Sequence, residues 1–175
     1  MKILELLISF RPGGAERVAV ELSLGLKQRG AEADICSLID QGFLRESEGI
    51  KTFSFGLKDP RLFHLILRKL SALAENYDLC ISYCTYADYA LALSRTKKPR
   101  VLTIRSVDFN RWRVPGWAYL DRWLYGRADA LVAVSQLHIS AHLHLNHSTT
   151  LALLFIICIL KNWFARVDVL FRTLQ

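Results

Sequence analysis

Pro12-Gly13-Gly14-Ala15-Glu16 is the strongest local signal in this sequence of 175 residues. Adjacent glycines let a backbone turn sharply and approach a ligand with no Cβ in the way. A helix beginning there offers free N–H groups and the positive end of its dipole to an anion such as a diphosphate. The segment is neither G-x-G-x-x-G nor a Walker A loop, which needs Gly-Lys-Ser/Thr. On spacing alone, a ligand-binding turn and a plain glycine turn stand level. Arg105-Ser106-x-Asp108 is the second cluster. Arginine and aspartate together can hold and orient a polar ligand, and a surface ion pair is the competing reading. The third is 82–88, with Cys84, Thr85 and Tyr86, where packing plus a helix start is the simpler account.

Other residues with chemistry to offer point to less. His138, His142, His144 and His147 crowd into ten residues. His138 and His142 are four apart, as a helical metal pair would be, but no Glu follows in the H-E-x-x-H sense. No metal site is expected. Cys36, Cys80, Cys84 and Cys158 fit no zinc spacing, and a chain of this length needs no disulfide staple. Four reduced thiols in a cytoplasmic protein are expected, with Cys80 and Cys84 on one face of a strand. Arg111-Trp112-Arg113, with Trp117, Tyr119 and Trp123 nearby, mixes cations with aromatics. Such a surface suits an anionic membrane. No nucleic-acid module pattern is present, and a solvated charged face is the plainer alternative.

The elements that must position these residues alternate. Residues 3–10 are short and nearly continuous in apolar character, which describes a buried strand. Ala15, Val18, Ala19, Leu22 and Leu26 recur at helical spacing, and Gly30 sits where a C′ glycine belongs. Residues 31–38 return to strand. Strands follow at 51–55, 78–83, 100–104 and 130–134. Helices are expected from Asp59-Pro60 onward, at 87–93 and at 117–125. Asp59 is read as an N-cap, Pro60 as N1, and Phe63, Ile66, Leu67, Leu70 and Leu73 as the buried stripe. This alternation predicts a Rossmann-like α/β fold, a parallel sheet with helices on both faces. Ligands bind there at the carboxyl ends of strands. That places residues 11–16, 82–86 and 105–108, with Ser135 and Gln136, at the expected site.

Length and composition bound the rest. One domain is expected, with apolar content too high for disorder. The uncharged run 151–160 is about half of what a spanning helix needs, and Glu5 interrupts any signal-like apolar start. Charged residues number 35 in the first 136 but 4 in the last 39. So abrupt a change divides the chain into a domain at 1–136 and an atypical apolar tail at 137–175. The net charge of +7 lies mostly in the domain.

Residues 1–38 resemble the opening of a family 4 glycosyltransferase of the GT-B fold: a strand, a Gly-Gly turn, a helix ending in Arg-Gly, and a second strand. Ala31-Glu32-Ala33 replaces the usual His-Glu-Val. V-L-T-I-R-S-V-D at 101–108 is similar to the family's fifth-strand segment in members that carry Arg there. A-D-A-L-V-A-V-S at 128–135 is similar to the sixth. The resemblance implies the amino-terminal, acceptor-side half of an enzyme moving a sugar from a nucleotide-sugar to a saccharide or lipid-linked acceptor, in polysaccharide or glycolipid assembly. It implies Gly13, Gly14, Ala15 and Glu16 at the donor phosphates. Arg105, Ser106, Asp108 and Ser135 become acceptor-side polar contacts. No cofactor or metal is implied, and no catalytic base is named. No Glu follows Glu75, so the family's carboxyl-side paired glutamates are absent from this sequence. A truncated or frameshifted product, inactive without a separately encoded carboxyl-terminal domain, is therefore expected. It would sit in the cytoplasm or at the inner face of the membrane. The alternatives are a non-catalytic saccharide- or membrane-binding module and a degenerate fragment.

Overall fold

A computed structural model describes residues 1–40, 42, 49–105 and 116–133. Ser106, Asp108, Ser135, Arg111-Trp112-Arg113, Cys158 and the clustered histidines lie outside these residues, as does 137–175.

Six strands form one parallel sheet: β1 (Lys2–Leu7), β2 (Glu32–Ile39), β3 (Lys51–Leu57), β4 (Leu79–Tyr83), β5 (Arg100–Ile104) and β6 (Ala130–Ala133). Their order is β3-β2-β1-β4-β5-β6. The first three strands step one way from β1, and the last three step the other way. This reversal opens a crevice between the carboxyl ends of β1 and β4, where such sheets bind ligands.

The helices are α1 (Gly14–Gln28), α2 (Leu67–Ala74), α3 (Thr85–Leu93) and α4 (Trp117–Tyr125). In α1, Ala15, Ala19 and Leu26 face the sheet. Glu16 in the first turn and Lys27 in the last complement its dipole. Gly30 follows in a left-handed conformation (φ 80°), as a C′ glycine should. Asp59 caps the next helix, its carboxylate accepting from the Arg61 N–H at 2.7 Å with Pro60 at N1. That helix begins as a 3-10 turn over Pro60–Ile66 and becomes α-helical only at Leu67.

The two faces of the sheet are covered differently. Leu4, Leu6, Cys36, Leu38, Cys80, Leu102 and Ile104 pack against α2, α3 and α4. Ile3, Leu7, Ile35, Ile81, Tyr83, Val101 and Val132 lie on the opposite face with α1. Alternation along each strand produces this split.

Cys84 departs from the expected strand. The strand ends at Tyr83, and Cys84 turns into α3 with φ 76° and ψ 152°. Cys80 packs with the α2–α3 face and Cys84 with the α1 face, so the two thiols do not share a side. The three described cysteines are free.

Leu102 is fully buried in β5 beneath α3. Leu102→Ala should cost about 2–5 kcal/mol, because the filled sheet–helix layer collapses only partly around the cavity. Urea denaturation measures this, and a loss below ~1 kcal/mol would show that the layer repacks.

Candidate functional site

The crevice between β1 and β4 is built on a buried carboxyl group. Glu5 sits mid-strand in β1 at 0% exposure. Its Oε1 accepts from Ser23 Oγ of α1 at 2.7 Å, and its Oε2 accepts from the Tyr83 hydroxyl of β4 at 2.7 Å. Burial drives its pKa up from 4.5 to about 8, against the pull of those two bonds. When Glu5 holds its proton, its own O–H donates along one of these two contacts and the carbonyl oxygen accepts the other, so no charge is buried.

Tyr83 carries this anchor to the strand end. Burial first, and Glu5 next, raise its own pKa. The Arg105 guanidinium carbon lies 5.4 Å from the centre of its ring, a cation–π contact. Arg105 follows directly on β5 and is half-buried. Its Nε is buried and makes no hydrogen bond among the described residues. Thr103, two residues earlier on the same strand face, has a buried Oγ1 in the same condition.

Cys84 links the two sides of the crevice. Burial raises its thiol to about 11; Asp88 and Glu16 add to the rise and Arg105 opposes it. It is therefore a neutral thiol and not a nucleophile poised at neutral pH. Asp88, in the first turn of α3, is buried on the other face. It accepts from Ser82 Oγ at 2.7 Å and from the Tyr125 hydroxyl at 3.4 Å. Burial raises its pKa well above 3.8, while hydrogen bonds from Ser82, the Thr103 N–H and Tyr125, together with Arg105, pull it back.

The Gly-Gly turn forms the other lip. Gly13 is the N-cap of α1 and is extended (φ −163°), with no side-chain cap. Glu16 folds back so that its Oε2 would lie 2.5 Å from a Cβ on Gly13. A Cβ on Gly14 would meet nothing within 4 Å. Gly14 has no left-handed φ either, so the described chain itself does not require a glycine there. Ala15 is buried beneath the helix start, so it contributes packing.

The structure thus brings Glu16 and Arg105 to the same crevice, both acting on Cys84. Tyr83 falls in the expected stretch 82–86, whereas Glu5 and Thr103 were missed by sequence reasoning. The available signal was an acid on the apolar face shared by Ile3 and Leu7. Among the described residues no His/Cys/Asp/Glu group could hold a metal ion, and no helix is long and apolar enough to cross a membrane.

The Glycosyltransferase Family 4 model matches residues 12–149. No curated protein matches the sequence. Among solved structures, Anabaena Alr3699/HepE in complex with UDP-glucose is 23% identical with a TM-score of 0.71, over 99% of this chain and 50% of that one. S. aureus MnaA with UDP is 19% identical with a TM-score of 0.54, over 82% and 40%. Acinetobacter baumannii MurG is 12% identical with a TM-score of 0.51, over 77% and 41%. These likenesses establish the fold, that of GT-B glycosyltransferases. The chain spans about half the length of the structures it matches.

The buried acid makes stability depend on pH. Between about pH 4.5 and 8 the folded chain keeps a proton on Glu5 that the unfolded chain has released. Stability therefore falls as pH rises through that window, by up to about 1.4 kcal/mol per pH unit. Below it both states are protonated, and above it both are ionised. Glu5→Gln should flatten this contribution, so its urea midpoint declines less than the wild-type midpoint over the window. Parallel declines would show that Glu5 is ionised in the fold.

Proposed function

Because the chain belongs to Glycosyltransferase Family 4, we propose that it forms the acceptor-side half of an enzyme that moves a sugar from a nucleotide-sugar to a saccharide or lipid-linked acceptor. The pathway is polysaccharide or glycolipid assembly. The observation that carries this reading is the bare backbone of Gly14, at the start of α1, facing open space beside the crevice that Arg105 overlooks. A helix N-terminus with no side chain in front of it suits a diphosphate. Gly13, Gly14 and Glu16 line the donor side, with Ala15 packed beneath them. Arg105 serves the acceptor side, and the family resemblance assigns Ser106, Asp108 and Ser135 to acceptor contacts as well. The UDP and UDP-glucose held by the Anabaena structures support a nucleotide-sugar as donor.

The described residues bind and orient. Leaving-group stabilisation needs cations and donors aimed at the departing diphosphate. We assign these to a carboxyl-terminal, donor-binding half. No cofactor or metal enters the scheme.

Transfer from UDP- and GDP-sugars should be undetectable with the 175-residue chain alone and appear when a donor-binding half is added. Robust turnover by the isolated chain would overturn this division of labour. In the reconstituted system, Gly14→Ala should keep wild-type stability or gain up to about 1 kcal/mol, since alanine favours a helix. Its transfer rate should fall by about 10-fold or more, as a methyl group now stands before the diphosphate. An unchanged rate would remove Gly14 from the donor site.

A membrane-surface role is favoured by a second observation. On α4, Tyr119 (80% exposed) and Trp123 (54% exposed) lie one turn apart, with Leu120 beside them. The Arg127 guanidinium stacks 5.1 Å from the Trp123 ring while its Nε donates to the Ala92 carbonyl. Interfacial aromatics flanked by cations suit an anionic headgroup layer. The chain should co-sediment with anionic vesicles and be released as salt rises. Trp123→Ala with Tyr119→Ala should weaken that binding several-fold. Equal sedimentation with neutral vesicles would refute the electrostatic part.

A further inference from the structure

We propose that Arg105 is the centre of an oxyanion subsite, and that the acceptor carries a phosphate or carboxylate group there. The assignment of the oxyanion to the acceptor rests on the glycosyltransferase reading above; its binding does not.

An arginine half-removed from water ordinarily finds carboxylate or carbonyl partners, because its five donors are costly to leave unmet. Arg105 has none among the described residues. Its Nε is buried and makes no hydrogen bond among the described residues, and its guanidinium lies over the face of Tyr83. That contact fixes the plane of the guanidinium but satisfies no N–H.

Among the described residues, the acids around the crevice do not pair with it. Asp88 is occupied by Ser82, Tyr125 and the Thr103 N–H on the far face of β5. Glu5 is occupied by Ser23 and Tyr83. Glu16 folds back toward Gly13. None forms an ion pair with Arg105.

Thr103 supplies an independent sign. It is 5% exposed, lies opposite Tyr83 in the β4–β5 register, and its Oγ1 has no partner among the described residues. Two consecutive inward positions on one strand face, Thr103 and Arg105, thus hold unmet polar groups at the crevice. A planar guanidinium whose buried Nε–H is unmet among the described residues matches a phosphate or carboxylate, which accepts two parallel N–H bonds. A neutral sugar hydroxyl would satisfy one donor and leave the charge unmatched.

The two sources of such an oxyanion are the phosphate of a lipid-linked acceptor and the carboxylate of an acidic sugar. The full 175-residue chain, labelled with 15N, is titrated at constant ionic strength with inorganic phosphate, methyl glucuronide or neutral methyl glucoside. The Arg105 Nε–H resonance is the readout. Phosphate, methyl glucuronide or both should shift it saturably, and the glucoside should not. Response to phosphate alone identifies the lipid-phosphate source, and response to the glucuronide alone identifies the acidic sugar. Arg105→Lys should weaken binding about 10-fold, since lysine keeps the charge but loses the fork. That variant is followed through the backbone amide of Cys84.

Failure of both oxyanions to shift Arg105, or an equal shift with the glucoside, would overturn the subsite. A shift produced by UDP but by neither oxyanion probe would return Arg105 to the donor side and overturn the acceptor assignment. A saturable shift with phosphate or glucuronide in a chain that never supports transfer would uphold the subsite and sink the glycosyltransferase reading alone.

Discussion

A carboxylic acid buried in the central strand holds the crevice together. Glu5 bonds at once to Ser23 of α1 and Tyr83 of β4, residues 18 and 78 positions away in sequence. Removing its partners would leave a buried polar group unmet, a cost of about 1–3 kcal/mol for each. The arrangement ties the helix that presents Gly13 and Gly14 to the strand that ends beneath Arg105. Both lips of the crevice are thereby referred to one point in the sheet.

A second polar network performs the same service on the other face. Asp88 joins α3 to Ser82 of β4 and Tyr125 of α4, and Tyr89 donates to Asp121 across the α3–α4 contact. These bonds lie among Leu91, Leu102 and Leu124, where apolar packing alone would allow helices to slide. Satisfied polar groups in such a layer select one register. The helix layer behind the crevice is fixed in this way, while α1 is fixed from the front by Glu5.

The local code was legible where one segment specifies its own conformation. Asp59-Pro60 announces a helix start, Gly30 announces an end, and the run at 100–104 can only be a buried strand. Each of these is where the sequence places it. The 3-10 opening of the Pro60 helix and the left-handed backbone of Cys84 were not legible. Both answer to packing between distant elements, and cysteine has no intrinsic preference for φ 76°. The site was half legible for the same reason. Gly13, Gly14, Glu16 and Arg105 stand at strand ends that topology alone identifies. Glu5 reads in sequence only as a charge interrupting an apolar run, because its partners are remote. Thr103 reads as an ordinary strand residue, and Tyr83 is marked only by its place at a strand end.

The electrostatic character of the crevice depends on how burial shifts its acids. An arginine beside two ionised carboxylates would be compensated and would attract little. Here burial raises the pKa of Glu5 to about 8 and that of Asp88 well above its ordinary value. Burial therefore does more than protect the fold. It opposes the ionisation of both acids, and Tyr83 presents its π face to the Arg105 guanidinium. The positive potential of the guanidinium and of the α1 N-terminus then add across the same opening. A sheet that uses two buried acids to hold its helices in place also leaves Arg105 without an ion pair among the described residues.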